Sequence, residues 1–296
     1  MSIDVEKFAS HLRTNAKNQS QGRCARFVRL ALEAAGANTS GHPLRAKDWG
    51  PILTRNGFHV VAVPAPEHFK FKKGDIVVIQ PYSGGNPAGH IAGFDGEKWI
   101  SDFAQRDFWA GPTYRRERPS MLSTVLSRAL CAISFALIFL APSTAAPRES
   151  DEQVAIVGSL YKTFAWQVLS SSINAFGKPL AQQESSVLRR YFAQELASLL
   201  VKDGHCAAKT GEICNLDFDP IFASQDPAAV DLTIRSMPKD IVAVEFTYPS
   251  SGEKVRLEYR MARKKNGWRI DDIRYPGMSD SSLKQLLARK LPSSDK

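Results

Sequence analysis

Metal-ligand spacing is missing from this chain. It has four cysteines and six histidines in 296 residues, and no cluster of them falls at the intervals a zinc site needs. No bound metal and no cofactor is therefore expected. Zinc fingers, helix-turn-helix signatures and basic strands interleaved with aromatics are also absent, which sets nucleic acid aside as a partner. No internal repeat is visible. The longest apolar run, Ala129 to Ala141, falls short of the roughly 20 apolar residues a comfortable membrane span requires.

What is present is a chain of globular composition, 43% hydrophobic and 23% charged, long enough for two ordinary domains. The net charge of +9 is unevenly placed. Residues 1–148 hold 19 Lys+Arg against 11 Asp+Glu, and residues 149–296 hold 20 against 19. A basic first half suits an anionic partner such as an acidic polymer or a membrane surface.

The break between the halves lies at Met121. A start residue is followed by Arg128, the apolar run, Pro142 and the small residues Ser143 to Ala146. That is the layout of a secretory signal peptide with a cleavage site near Ala145 or Ala146, preceded by basic Arg115, Arg116 and Arg118. A buried core helix is the alternative, but the run has no polar face. The division expected is residues 1–118, a linker and internal signal or anchor over 119–147, and a second domain over 148–296. If the signal is cut, the halves separate and the second is periplasmic; if not, the segment anchors the chain.

The first half is organised around Gln21-Gly22-Arg23-Cys24-Ala25-Arg26-Phe27-Val28. Phe27, Val28, Ala31, Leu32 and Ala35 recur at helical spacing, so Cys24 opens an amphipathic helix. The helix dipole, Arg23 and Arg26 all favour its thiolate. Read alone, Cys24 is more often a buried structural cysteine than a nucleophile. A short helix with loops is expected over Leu44 to Phe58, a strand at Val60-Val61-Ala62-Val63, a turn at Lys73-Gly74-Asp75 and a buried strand at Ile76 to Ile79. A hairpin follows, with His90-Ile91-Ala92-Gly93-Phe94 and Lys98 to Phe103 around Asp95-Gly96-Glu97. A three-residue loop would set His90 opposite Asp102 on one face. A two-residue loop would pair His90 with Ser101 and turn Asp102 away. The three-residue loop is favoured because it lets a carboxylate hold the imidazole.

The ordered set Cys24, His90, Asp102 resembles the papain-like NlpC/P60 and CHAP amidases of peptidoglycan. The matching pieces are the Cys24 stretch, Lys73-Gly74-Asp75-Ile76-Val77, Gly89-His90-Ile91-Ala92 and Trp99-Ile100-Ser101-Asp102-Phe103. The small size is similar to that of type VI secretion amidase effectors. The resemblance implies a papain-like fold with an antiparallel sheet, Cys24 as nucleophile, His90 as base and Asp102 as orienter, with wall-peptide stems as substrate. The third family member is often a histidine, and Asp102 departs from that.

In the second half, helices are expected over Glu152 to Val168 and Glu184 to Val201. Strands are expected over Ala228 to Ser236, Ile241 to Tyr248, Lys254 to Arg263 and Trp268 to Tyr275, and a final helix over Ser281 to Leu291. This is a small α+β domain, helices first and an antiparallel sheet after. Behind a signal sequence, Cys206 and Cys214 are expected to form a disulfide; in the cytosol they would be free thiols. There is no glycine-rich phosphate loop and no ordered Cys–His–Asp set, so this half reads as a binding module. Its layout resembles the periplasmic immunity proteins encoded beside type VI amidase effectors. The resemblance implies an amidase toxin fused to its inhibitor, made in the cytoplasm, delivered by the type VI apparatus to a target periplasm, with the second half blocking the Cys24 cleft. A non-catalytic scaffold and a cysteine protease of proteins are the competing readings.

Overall fold

The computed structural model describes residues 3–61, 63, 65–119, 149–169, 176–279 and 281–290. The expected signal segment, Met121 to Ala146, lies outside them. No helix among the described residues is long and apolar enough to cross a membrane.

The architecture is mixed α+β with two antiparallel sheets. Helix α1 (Val5–Asn15) starts where the Asp4 side chain accepts the Lys7 amide N–H at 3.0 Å. Helix α2 (Cys24–Ala34) buries Cys24, Ala25, Phe27, Val28, Ala31 and Leu32, the face its periodicity predicts. Both helices pack on a three-stranded sheet, β1 (Ile76–Ile79), β2 (His90–Phe94) and β3 (Trp99–Ile100), in that order. A short helix α3 (Gly50–Arg55) and helix α4 (Pro112–Glu117) complete the first half. Of the strand expected at Val60 to Val63, the described residues Val60, Val61 and Val63 are in no strand, and Val60 and Val61 stand 70% and 63% exposed.

In the second half α5 (Glu149–Phe164), α6 (Ser185–Leu188) and α7 (Gln194–Thr210) precede a five-stranded sheet. Its strands are β4 (Val230–Met237), β5 (Ile241–Thr247), β6 (Lys254–Lys264), β7 (Gly267–Tyr275) and β8 (Ser281–Ser282), paired in chain order. The helix expected over Glu184 to Val201 is split. The chain between α6 and α7 bonds to β7 instead: Ala193 N–H donates to the Ile270 carbonyl and Ile270 N–H to that of Tyr191. The last helix, α8 (Leu283–Leu287), starts two residues late because Ser281 and Ser282 pair with β7. Cys206, in the last turns of α7, is bonded to Cys214 with their Cα atoms 6.2 Å apart.

The hairpin register needs correcting. Gly93 pairs with Ile100 and Phe94 with Trp99, so the loop has four residues, Asp95 to Lys98. The Asp95 carboxylate accepts the N–H groups of Glu97 and Lys98 at 2.9 and 2.7 Å, a side-chain turn that favours the extra residue. The ladder ends at Ile100, so Asp102 does not face His90 across it.

The halves share their cores. Leu44 and Ala88 of the first pack into the cluster built on β5 to β7, and Ile213 of the second packs with Phe103, Phe108 and Tyr114. Gly111 makes this approach possible: its backbone is extended, and a Cβ there would lie 2.3 Å from the Ile213 carbonyl oxygen. Gly111→Ala therefore strains the contact without straining the first half. With the chain cut at a protease site placed between residues 119 and 149, the two pieces are expected to stay associated. Gly111→Ala should then weaken their affinity at least about tenfold, about 1.4 kcal/mol, measured by titration calorimetry.

Candidate active site

Cys24 is the first residue of α2, and His90 is the first residue of β2. Helix α2 packs on β2, which brings the two side chains together; both are fully buried. Cys24 Sγ, a ring nitrogen of His90 and a carboxylate oxygen of Asp217 all lie within 4.8 Å of one another. Asp217 comes from the second half.

His90 is held at both nitrogens. Its Nδ1 is 3.0 Å from Asp217 Oδ2, and its Nε2 is 2.6 Å from the side-chain amide of Gln105. Gln105 Oε1 is buried without a hydrogen-bond partner. Turning the amide over lets that oxygen accept the Nε2–H, since amide oxygen and nitrogen are interchangeable in outline. With Asp217 in place Nδ1 carries the proton and donates to Oδ2; with that carboxylate away, the turned amide puts the proton on Nε2 and the lone pair on Nδ1, the arrangement a base needs.

Asp102 is placed differently from the expectation. Its Oδ2 accepts the backbone N–H groups of Gln21 at 2.6 Å and Arg23 at 3.1 Å, and its Oδ1 accepts the Ser101 hydroxyl at 3.1 Å. It ties down the loop that leads into Cys24 and makes no hydrogen bond to His90. The group on the far side of the imidazole is Gln105, three residues on. Sequence reasoning missed it by seeking a carboxylate; its place just after the β3 hairpin was the available signal.

Residues 215–226 lie over the cleft. Asp217 Oδ2 also accepts from Asn86 Nδ2 and Gln225 Nε2 at 3.3 and 3.2 Å. Gln225 bridges the halves, donating to the Gly89 carbonyl at 2.8 Å and accepting the Ala46 N–H at 2.9 Å. Gly22, with φ of +64°, lets the loop come down: a Cβ there would sit 3.0 Å from Phe218 N. Asp219 lies 3.9 Å from the Arg23 guanidinium. Asp226 takes Arg29 at 2.5 Å, Arg26 at 3.7 Å and His42 at 3.4 Å.

The loop changes the electrostatics of the thiol. Burial, then the charge of Asp217 and that of Asp102, push the Cys24 thiol well above its ordinary range. The backbone N–H groups of Ile91 and Ala25 oppose this without overcoming it. The expected help from Arg23 and Arg26 is met by counter-charges, Asp219 and Asp226. Burial raises Asp217 and Asp219 to about 6. Burial works on Asp226 too, but the hydrogen bonds from His42 and Arg29 and the charges of Arg29 and Arg26 outweigh it and hold that carboxyl low.

No family model matches the chain, and no curated protein matches it. Two solved structures do, both of the type VI effector–immunity complex Tae3–Tai3 from Ralstonia pickettii. One, the selenomethionine form, is 42% identical over 39% of this chain and 96% of that chain, with a TM-score of 0.34. The native form is 38% identical over 40% and 94%, also with a TM-score of 0.34. The sequence likeness links part of this chain to a type VI effector–immunity system; overlays at that TM-score carry nothing about the arrangement of the whole.

The buried carboxylates make stability depend on pH. Asp217 and Asp219 hold protons up to about 6 when folded but only to 3.8 in an ordinary setting. The folded state thus binds more protons between those values, and stability falls as pH rises through the window. Urea midpoints measured from pH 4 to pH 7 should show this fall. Burial raises Asp203 to about 6 as well and adds to the fall, so Asp217→Asn with Asp219→Asn should make it shallower without abolishing it; an unchanged slope would assign it to other groups.

Proposed function

We propose that residues 1–118 are a papain-like, NlpC/P60-type cysteine amidase of peptidoglycan and that residues 148–296 are its cognate inhibitor, carried on the same chain. The observation behind this is the buried Cys24–His90 pair with Asp217 of the other half seated on the imidazole. A merely structural cysteine gives no reason for a second domain to aim a carboxylate at its histidine neighbour.

In the free cleft, His90 Nδ1 takes the Cys24 proton and the thiolate attacks an amide carbon of a wall peptide. Gln105 holds the ring with its proton on Nε2, the positioning part played by the third member of a triad. The Cys24 backbone N–H, at the start of α2, faces the developing oxyanion. His90 then protonates the leaving amine, and water clears the thioester. The seated loop stops the first step in two ways. Its bulk fills the space of the acyl group, and the Asp217 carboxylate occupies the nitrogen that must act as base while opposing a second negative charge on sulfur.

The Ralstonia pickettii chains were solved as an effector–immunity complex, which agrees with a toxin and its inhibitor in one polypeptide. In that setting the first half is carried by the type VI apparatus to a target periplasm. The second half reaches its own periplasm through the Met121 to Ala146 segment. The basic surface of the first half draws it to the anionic wall.

The full chain is expected to release few soluble muropeptides from purified sacculi. Asp217→Arg, which buries a cation beside His90 and expels the loop, should release many. Adding Cys24→Ala should abolish release, and adding Gln105→Ala should lower it about tenfold or more. A folded Asp217→Arg chain that releases nothing supports the scaffold reading. One that cleaves casein but leaves sacculi intact supports a protease.

A further inference from the structure

The Cys24–His90–Asp217 cluster has a chemistry beyond amide cleavage. Three atoms of types that zinc favours, a sulfur, an imidazole nitrogen and a carboxylate oxygen, meet in a fully buried space. Tetrahedral zinc with ligands at about 2.0–2.3 Å keeps neighbouring ligand atoms roughly 3.3–3.7 Å apart. The His90–Asp217 separation of 3.0 Å lies just under that spacing, and the outer limit of 4.8 Å for the cluster lies above it. Side-chain adjustments smaller than a bond length would bring the set onto an ion.

Two unsatisfied atoms point the same way. Asp217 Oδ1 is buried with no hydrogen-bond partner, although Oδ2 is approached by three donors or ring nitrogens. Gln105 Oε1 is likewise buried and unpartnered. Buried polar atoms left unpaired are costly. When an ion displaces the proton that Nδ1 shares with Asp217 Oδ2, the imidazole proton moves to Nε2, the turned Gln105 oxygen accepts it, and the Nδ1 lone pair is left for the ion, the usual outer support of a metal-bound histidine. Charge balance agrees. A thiolate beside the Asp217 carboxylate is unfavourable alone, but two negative ligands neutralise one divalent cation.

We propose that Cys24 Sγ, His90 Nδ1 and the Asp217 carboxylate form a zinc-binding site that is completed only when the loop of the second half is seated. The ion replaces the thiol proton, which leaves to solvent, and a Zn–S bond forms with no change of oxidation state. Zinc then bridges the halves and strengthens their association, because the third ligand is lost when the loop leaves. The site stands whether or not Cys24 cleaves wall peptides.

The test uses the full chain with Cys131→Ser, so that no other free thiol contributes. Titration with Co2+ should give one equivalent with a thiolate-to-cobalt charge-transfer band in the near ultraviolet. Zn2+ should remove it stoichiometrically. Asp217→Asn, in the second half, and Cys24→Ser, in the first, should each weaken binding by about tenfold to a hundredfold, with circular dichroism reporting that the fold is kept. If one variant misfolds, the other, on the opposite half, still decides. No charge-transfer band at about a tenfold excess of Co2+ overturns the site, and so does a band that Asp217→Asn leaves unchanged.

Discussion

One buried contact governs this molecule: the Asp217 carboxylate of one half on the His90 imidazole of the other, 3.0 Å apart and without solvent. A carboxylate in that position is costly unless it is met, and here burial, only partly offset by His90, lifts its proton affinity to about 6. The neighbouring loop residues supply what makes the position tolerable. Asn86 and Gln225 donate to it, and Gln225 is itself locked to backbone groups of the first half on both sides. Removing any one partner leaves the others with unpaired groups in a dry interior, so the loop seats as a unit.

The acidic loop also meets part of the basic charge of the first half. The first half is strongly basic, and the Cys24 stretch and its helix carry Arg23, Arg26 and Arg29. The loop sets Asp219 against the first and Asp226 against the other two, with His42 added to the Asp226 group. The residues that would stabilise a thiolate in an open cleft are thereby occupied, and the thiol is left protonated. In the function proposed, the basic groups that meet the loop are those that would attract an anionic polymer once it leaves. The disulfide between Cys206 and Cys214 lies immediately before the loop, and Asp203 accepts the N–H groups of Asn215 and Leu216 at 2.8 and 3.3 Å, so the loop leaves a fixed base.

Elements with strong local period were legible in the sequence. Helix α2 and strands β4 to β7 fall close to where alternation of apolar residues puts them, and the pairing of Cys206 with Cys214 follows from eight residues around a turn. The hairpin register was not legible: spacing left two- and three-residue loops open, three was favoured to let a carboxylate hold the imidazole, and the Asp95 side chain builds a four-residue turn. That one step moved Asp102 off His90, and Gln105, an unremarkable residue in sequence, stands at the ring instead. Asp217 could not be read at all. It lies in an irregular loop 127 residues from its partner, and its meaning comes only from the docking of two halves. The run Asn215-Leu216-Asp217-Phe218-Asp219 alternates polar and apolar residues as a strand would, and nothing in it marks a loop that docks on another half.

The central claim is that the loop over residues 215–226 closes the Cys24 cleft. The alkylation rate of Cys24 by iodoacetamide tests it most directly, read by mass spectrometry on its own peptide in the full chain and in the Asp217→Arg chain. The account predicts a thiol that resists the reagent in the native chain and reacts at least about tenfold faster once the loop is displaced. Equal rates in the two folded chains would contradict it.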